Sequence, residues 1–222
     1  MRVAAAVLTY RALSTGRGRL LRRCWESLQE ADAVYLVDNG SGDGTEVLVD
    51  WLGGYCHRGT LHTSGHGTNL CARVLAGDGA NICVHSDDDM VWRPGWRAKL
   101  ERWWAEAPAD VAITGCHLEG DWPWNQRTGK ALHGGIPAFV RTSTGAASWT
   151  YRASMASTIF PIPQQVQGFG DVPTCDRLTQ SGLRVCQIDL ATHEGRTSTW
   201  GNSTERRYGP ADVERLRAEV AS

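Results

Sequence analysis

The sequence predicts an α/β fold, with an open and mainly parallel twisted sheet flanked by helices, followed by a smaller irregular and antiparallel region. Two observations carry this prediction. Short apolar runs alternate with segments of helical periodicity in the first half of the chain, as in a parallel sheet with helices on both faces. After Gly115 the chain becomes rich in glycine, proline, serine, threonine and tryptophan, and the periodicity weakens.

The first half contains four predicted strands and three predicted helices. Residues 3–9 form a continuous apolar run, which is typical of a strand buried on both faces. The other predicted strands are 34–37, 81–84 and 111–115, and the predicted helices cover about 20–28, 46–52 and 92–104. Val47, Leu48 and Trp51 share one side of the second helix, and Trp96, Trp103 and Trp104 are expected to pack the third onto the sheet.

The second half gives fewer signals. Residues 116–165 predict irregular structure and antiparallel strands around a site. A helix over 171–181 and a strand over 184–188 are expected next. The C-terminal tail is expected to contain a helix with Pro210 in its first turn.

Composition limits the classes of protein that fit. A chain of 222 residues can bury a core and keep a cleft, and a net charge of −1 gives no sign of a nucleic-acid or anionic-membrane partner. Its seven cysteines are scattered and form no C-x-x-C pair, which argues against a disulfide framework and a structural zinc site. Because no segment approaches the roughly 20 apolar residues of a membrane span, we expect a soluble, cytoplasmic protein with mostly buried thiols.

Two predicted strands run directly into polar segments, DNGSGDGT (38–45) and Asp87-Asp88-Asp89. Open parallel sheets bind ligands outside the carboxyl ends of their strands. Asp87 and Asp89 point the same way if their segment is extended. Converged carboxylates repel each other unless a cation lies between them, and their oxygens favour Mg²⁺ or Mn²⁺. The alternative is a solvated turn or a helix N-cap ahead of Trp92.

Two further features indicate ligand contacts. Trp122 and Trp124 lie in a segment that no helix explains, and aromatic faces stack on sugars and nucleobases. We expect them to contact the acceptor or the donor sugar, with local packing as the alternative. The Gly134-Gly135 pair would let the backbone approach a ligand, with Gly135 as an acceptor contact, or would form a turn.

Four segments, in this order, resemble the family-2 glycosyltransferases with the GT-A nucleotide-diphospho-sugar fold. They are Thr9-Tyr10-Arg11 at the end of the first strand, VYLVDNGSGDGT (34–45), HSDDDM (85–90) and GFGDVPTCDRLTQSGLRV (168–185). The resemblance covers roughly residues 1–195.

The resemblance implies an inverting, nucleotide-sugar-dependent glycosyltransferase that uses Mn²⁺ or Mg²⁺. It implies that Thr9, Tyr10, Arg11 and Asp38 hold the nucleoside; that Asp87, Asp88 and Arg73 contact the donor; that Asp87, Asp89 and His193 contact the metal; and that Asp171 is the general base. In this reaction the metal neutralises the leaving diphosphate while a carboxylate activates the acceptor hydroxyl. Gly170 replaces the first acid of the family's acidic pair, which leaves Asp176 as the alternative base.

The resemblance also implies the organisation of the chain. One GT-A-like domain would cover 1–195, with a nucleotide-sugar-binding half (1–115) and an acceptor-side half (116–195), followed by the tail at 196–222. The acceptor stays open between a glycan, a protein, a small molecule and a hydroxylated DNA base. UDP, GDP and dTDP donors stay open as well.

Two other functions compete with this interpretation. The pattern Asp38-x-Gly-x-Gly-x-Gly resembles the glycine-rich turn of S-adenosylmethionine-dependent methyltransferases, although it follows the second predicted strand and not the first. A non-catalytic sugar-nucleotide binder on the same fold would keep the donor site without turnover. A dinucleotide-dependent oxidoreductase is disfavoured by the glycine spacing.

Overall fold

The structure is a computed structural model that describes residues 1–57, 63–117, 125–163 and 170–194. Trp122, Trp124 and the predicted tail over 196–222 lie outside the described residues. The strands are β1 (Val3–Thr9), β2 (Ala33–Asp38), β3 (Tyr55–Cys56), β4 (Ile82–Asp87), β5 (Met90–Trp92), β6 (Val111–Gly115), β7 (Arg127–His133), β8 (Ile136–Arg141), β9 (Trp149–Arg152), β10 (Arg184–Gln187) and β11 (Ala191–His193). The α-helices are α1 (Gly18–Ser27), α2 (Thr45–Trp51), α3 (Ser64–Asp78), α4 (Trp96–Glu106), α5 (Ala156–Ile159) and α6 (Asp171–Gln180).

Nine of these strands form one sheet in the order β3-β2-β1-β4-β9-β6-β10-β8-β7. β1 pairs in parallel with both β2 and β4, while β9 lies antiparallel between β4 and β6. The antiparallel hairpin β7–β8 joins the sheet through β10. The predicted α/β fold with a mainly parallel sheet and antiparallel strands after Gly115 is therefore confirmed.

The core has two apolar layers, one on each face of the sheet. Every residue of β1 is buried, as the apolar run predicts. On one face, α1 and α4 pack Leu21, Cys24 and the tryptophans of α4 against the sheet. On the other face, α3 and α6 contribute Leu70, Cys71, Cys175 and Leu178. Trp96, Trp103 and Trp104 are at most 2% exposed, so they belong to the core as expected.

The structure differs from the sequence-based predictions at three helices. Trp92 belongs to strand β5, and α4 begins only at Trp96, because Pro94-Gly95 separates the two elements. The long helix α3 was not predicted at all. In α2 the buried apolar residue is Val49, whereas Val47 and Trp51 are exposed.

The cysteines follow the expectation of buried thiols. All seven are free, and all except the half-buried Cys56 are buried. Within the described ranges, no helix is both long enough and apolar enough to cross a membrane.

Candidate functional site

The carboxyl ends of the central parallel strands bring the predicted site residues to one edge of the sheet. Thr9 is opposite Asp38 across β1 and β2, and Leu8 is opposite Asp87 across β1 and β4. Strand β6 ends nearby at Gly115, which pairs with Trp149 at the start of β9. This carboxyl edge is where an open parallel sheet binds its ligands.

Asp38 organises the turn that follows β2. Its side chain is fully buried, and one carboxylate oxygen accepts hydrogen bonds from the backbone N–H groups of Gly40 and Ser41, both at 3.1 Å. The other oxygen accepts a hydrogen bond from the Ser41 hydroxyl. Because both oxygens serve the turn itself, Asp38 stabilises the shape of this turn, and Tyr10 and Arg11 are the more accessible groups beside it.

A loop after β1, residues 10–17, is hydrogen-bonded to this turn. The N–H of Arg11 donates to Ser41 Oγ at 2.7 Å, that of Leu13 to Thr45 Oγ1 at 3.1 Å, and that of Ser14 to Asp43 Oδ2 at 2.7 Å. Arg11 has a φ of 52°, which non-glycine residues rarely adopt. Its guanidinium carbon lies 5.6 Å from the centre of the Tyr10 ring. The loop thus presents an aromatic ring and a cation at the carboxyl edge.

Each of the three consecutive aspartates contacts a different basic side chain. His85 Nε2 lies 3.4 Å from Asp87 Oδ1, Arg17 Nη1 lies 2.6 Å from Asp88 Oδ1, and His193 Nε2 lies 3.1 Å from Asp89 Oδ2. Asp88 and Asp89 form the tight turn between β4 and β5. The predicted extended segment therefore ends at Asp87 and does not continue through Asp89. The alternative of a helix N-cap ahead of Trp92 is not observed either, since Trp92 belongs to β5.

Asp88 lies inside the protein. Its side chain is 1% exposed, and its second oxygen accepts the Thr9 hydroxyl hydrogen bond at 2.6 Å. Burial raises the pKa of Asp88 to about 7, against the opposing effects of Arg17 and Thr9. The predicted direct contact between Asp88 and the donor does not fit this burial, and the same holds for the Thr9 side chain, which is 1% exposed.

Asp89 and His193 meet because the two-stranded ribbon β5–β11 pairs Met90 with His193. The N–H of Glu194 also donates to the Asp89 carbonyl at 2.9 Å. Burial raises the pKa of Asp89, but the hydrogen bond and charge of His193 outweigh it and lower the pKa below its ordinary value. The result is a charged carboxylate beside an imidazole at the carboxyl edge.

The unused oxygen of Asp89 makes this pair suitable for a cation. Asp89 Oδ1 is buried and has no hydrogen-bond partner among the described residues, and a buried carboxylate oxygen without a partner is costly. In the same described part of the chain, no three His, Cys, Asp or Glu side chains come together as a metal cage. A Mg²⁺ or Mn²⁺ ion at Asp89 would therefore complete its shell with substrate phosphates and water, as these ions commonly do.

Asp171 is the first residue of α6 and also lies at this edge. Its Oδ2 accepts a hydrogen bond from the N–H of Ala146 at 3.2 Å, just before β9 begins. A Cβ placed on the preceding residue, Gly170, would lie 3.9 Å from the Cα of Gly65, in the first turn of α3. The alternative base, Asp176, is five residues further along α6. The residue before α6 thus lies near the first turn of α3, and Asp171 connects the start of α6 to the residue Ala146 shortly before β9.

Two predicted contacts are not supported by their positions. Arg73 is the tenth residue of α3, a helix whose first turn lies at the carboxyl edge, beside Leu8 and Asn39. At about 1.5 Å per residue, Arg73 is about 13 Å further along the helix axis, so its position does not support the predicted donor contact. Gly134 and Gly135 form the β7–β8 turn with positive φ at both residues, and Gly134 packs on the backbone of Arg102 in α4. The turn alternative fits better than an acceptor contact at Gly135.

The structure adds two residues that the sequence did not reveal. Arg17 bridges the Asp88 carboxylate and the Tyr10 carbonyl, and His85 lies buried beneath Asp87. The position of His85, two residues before Asp87 on one strand, is a signal that could have indicated it. Arg17 gives no such signal, because its partners are 7 and 71 residues away.

The amino-acid sequence was also compared with profiles of known protein families, and one family matches. The profile of glycosyl transferase family 2 matches residues 7–159. No curated protein sequence matches the chain.

Solved structures share the fold at low sequence identity. The mannosyltransferase PcManGT from Pyrobaculum calidifontis, in complex with GDP-Man and Mn²⁺, is 16% identical with a TM-score of 0.60, over 98% of this chain and 68% of that one. S. aureus TarS 1–349 in complex with UDP-GlcNAc is 12% identical with a TM-score of 0.61, over 86% of this chain and 58% of that one. A CMP:2-keto-3-deoxy-manno-octonic acid synthetase complexed with CTP is 14% identical with a TM-score of 0.56, over 100% of this chain and 99% of that one.

Proposed function

The chain belongs to glycosyl transferase family 2, and we propose that it moves one sugar from a nucleotide-diphosphate donor to a hydroxyl acceptor, with Mn²⁺ or Mg²⁺ and with inversion at the anomeric carbon. One observation carries this proposal. The Asp89–His193 pair lies at the carboxyl edge, and the buried Oδ1 of Asp89 has no hydrogen-bond partner in the part of the chain that the structure describes. A diphosphate with its divalent cation would satisfy that oxygen.

We assign the donor nucleoside to the surface formed by Tyr10, Arg11 and the turn 38–45. Stacking on the Tyr10 ring suits any nucleobase. The Arg11 guanidinium would add a cation beside an anionic donor, and the buried Asp38 would keep the turn in shape. Support for a sugar-nucleotide donor comes from two proteins with the same fold, PcManGT with GDP-Man and TarS with UDP-GlcNAc.

Asp89 would bind the cation directly, and Asp87 and His193 are the predicted contacts beside it, since the described residues contain no preformed three-residue metal cage. Asp87 is 41% exposed at the end of β4, so it can reach a ligand without rearranging the strand. When bound, the cation would neutralise charge that develops on the leaving nucleoside diphosphate. His193 has a second role in this proposal, since its contact with Asp89 keeps that carboxylate charged.

Asp171 would act as the general base. The Ala146 N–H fixes one of its oxygens, and the amino end of α6 stabilises the charged form. From this position it would take the proton of the acceptor hydroxyl while that oxygen attacks the sugar on the face opposite the diphosphate. A single displacement of this kind inverts the anomeric configuration. Asp176 is kept as the alternative base.

The acceptor is the open part of this proposal. A glycan, a protein, a small molecule and a hydroxylated DNA base all present a hydroxyl that this chemistry could use. Trp122 and Trp124 stay predicted acceptor or donor-sugar contacts. The methyltransferase alternative is not retained, because the chain belongs to a glycosyltransferase family and its glycine-rich turn follows the second strand.

An assay of donor turnover tests the proposal and separates it from a non-catalytic binder. The protein is incubated with GDP, UDP and dTDP sugars, with Mn²⁺ or with EDTA, and release of nucleoside diphosphate is measured with and without candidate acceptors. We expect release from one donor class, dependent on Mn²⁺ and lost in Asp89→Ala. Binding of a sugar nucleotide without release from any donor would support the non-catalytic binder.

A further inference from the structure

Arg17 makes an unusual set of contacts at the turn that carries the three aspartates. Its Nη1 donates to Asp88 Oδ1 at 2.6 Å, its Nη2 to the Tyr10 carbonyl at 2.7 Å, and its Nε to Thr15 Oγ1 at 3.1 Å. Each of the three guanidinium nitrogens therefore has its own acceptor, and the side chain is only 18% exposed.

These contacts join two parts of the proposed site. Tyr10 belongs to the segment that would contact the nucleoside, and Asp88 lies between the two aspartates that would hold the cation. Asp88 itself is 1% exposed and also accepts the Thr9 hydroxyl hydrogen bond. Its carboxylate is therefore held between the end of β1 and Arg17, which fixes the backbone of the turn on either side of it.

We propose that Arg17 is a positioning residue, which holds the Asp87–Asp89 turn in the geometry that binds the cation and ties it to the nucleoside segment. This inference rests on the proposed function. A guanidinium can place two donors on two acceptors in a fixed plane, whereas a lysine ammonium is a single point charge on a flexible stem. Partners behind the metal ligands orient those ligands, and their loss typically weakens metal affinity about 10- to 100-fold.

The chain offers a matched control at the opposite end of the sheet. Arg2 donates through Nε and Nη2 to the two oxygens of Asp78, at 2.8 and 2.7 Å, and Asp78 is only 2% exposed. This pair joins the start of β1 to the end of α3, as the Arg17–Asp88 pair joins the loop before α1 to the aspartate turn. Arg2→Met therefore removes an arginine from a buried aspartate without touching the proposed site.

The experiment measures Mn²⁺ binding directly, by the electron paramagnetic resonance signal of free Mn²⁺, in the presence of GDP or UDP. Wild type, Arg17→Met, Arg17→Lys and Arg2→Met are compared, and the melting temperature of each is recorded. We expect Arg17→Met to raise the Mn²⁺ concentration at half-saturation about 10- to 100-fold. Arg17→Lys should give a smaller but measurable rise, and Arg2→Met should lower the melting temperature while leaving Mn²⁺ binding unchanged.

Any of four results would overturn the inference. Unchanged Mn²⁺ binding in Arg17→Met, or equal weakening in Arg2→Met, would show that Arg17 supports the fold and not the cation site. If Arg17→Met does not fold, Arg17→Lys decides, and wild-type binding in that variant counts against the inference. Absence of nucleotide-dependent Mn²⁺ binding in the wild type would overturn the proposed function together with the inference.

Discussion

At the residue scale, the three consecutive aspartates are chemically identical but differ in burial. This difference in burial separates the roles that we propose for them. Asp87 is partly exposed, Asp88 is enclosed by Thr9 and Arg17, and Asp89 keeps one buried oxygen without a partner among the described residues. Spacing alone predicted a cation near Asp87 and Asp89 but could not separate Asp88 from its neighbours. That separation depends on Arg17, which reaches Asp88 from a distant point in the chain.

The proposed base gives the sharpest prediction at this scale. Asp171→Asn keeps the size of the side chain and removes the carboxylate that would accept the proton, so kcat should fall about 10²- to 10⁴-fold. Donor binding should stay close to wild type, because the proposed cation ligands are untouched. Steady-state kinetics with the donor found by the turnover assay would measure both quantities.

Asp176→Asn is the matched control for that variant. Asp176 lies on the same helix, five residues from Asp171, and is the alternative base. We expect its kcat to stay near wild type. Loss of kcat in Asp176→Asn with normal turnover in Asp171→Asn would assign the base to Asp176 instead.

At the element scale, the sequence predicted the central strands of the sheet but missed helix α3, whose first turn lies at the carboxyl edge. Strands β1, β2, β4 and β6 are short apolar runs followed by polar turns, and such runs are recognisable without knowledge of the fold. Helix α3 begins with Ser-Gly-His-Gly-Thr-Asn, and nine of its 15 residues are buried. A helix enclosed on most sides has no polar stripe, so it shows little amphipathic periodicity.

Non-local pairing explains the other elements that the sequence did not show. β5 and β11 contain three residues each, and they are strands only because they pair with each other. This pairing brings His193 to Asp89. The resemblance to the family predicted His193 as a metal contact, but nothing in the local sequence indicates which aspartate it meets.

Asp43 lies where the loop 10–17 is hydrogen-bonded to the turn 38–45. Its carboxylate should make the free energy of unfolding depend on pH. Burial raises the pKa of Asp43, but hydrogen bonds from Thr45 and Ser14 outweigh it and hold the pKa well below its ordinary value. The charged form therefore stabilises the fold above pH ~4, and this contribution is lost as the pH falls toward the lowered pKa. Asp43→Asn should lower the free energy of unfolding at pH 7 by about 1–2 kcal/mol.

Urea unfolding at several pH values tests this prediction. The difference in the free energy of unfolding between wild type and Asp43→Asn should be largest at neutral pH and should become smaller below pH ~4. Asp50→Asn, on the exposed side of α2, is the control and should change little at any pH. A difference that does not depend on pH would mean that the Asp43 charge does not hold the two segments together.

The β7–β8 turn provides a second prediction at this scale. Both glycines have positive φ, but a Cβ on Gly134 would lie 2.5 Å from the Arg102 backbone, whereas a Cβ on Gly135 would meet nothing within 4 Å. Gly135→Ala should therefore lower the free energy of unfolding only by the backbone strain, about 1–2 kcal/mol. Gly134→Ala should cost clearly more, because α4 must also shift.

Thermal or urea unfolding of the two variants measures this contrast, and donor turnover measured alongside tests the predicted acceptor contact. We expect Gly135→Ala to keep normal turnover. Equal destabilisation by the two substitutions would contradict the packing of Gly134 on α4. Loss of turnover in a well-folded Gly135→Ala would return that residue to the acceptor site.

At the scale of the whole molecule, the two halves share one sheet. Strand β9 comes from the half of the chain that follows Gly115 and lies between β4 and β6 of the first half. The carboxyl edge is therefore built from both halves, with the aspartate turn from one and Asp171 from the other. This arrangement depends on long-range strand order, which local sequence patterns do not specify.

The fold by itself does not choose the reaction. Proteins with TM-scores of 0.56 to 0.61 to this chain include a mannosyltransferase, TarS and a CMP:2-keto-3-deoxy-manno-octonic acid synthetase. The family match and the Asp89–His193 pair carry the functional argument. The central claim is accordingly that this chain binds a sugar nucleotide together with a divalent cation at Asp89.

Thermal unfolding with a panel of sugar nucleotides tests that claim most directly. The melting temperature (Tm) of wild type and of Asp89→Ala is measured with each nucleotide, with and without Mn²⁺, and S-adenosylmethionine is included for comparison. A donor at about 100 times its Kd stabilises the native state by about 2.7 kcal/mol, which corresponds to a rise in Tm of roughly 5–10 °C for a chain of this size. We predict such a rise with one donor class, only with Mn²⁺, and its loss in Asp89→Ala. A rise with S-adenosylmethionine alone, or one that is equal without Mn²⁺ and in Asp89→Ala, would contradict the account.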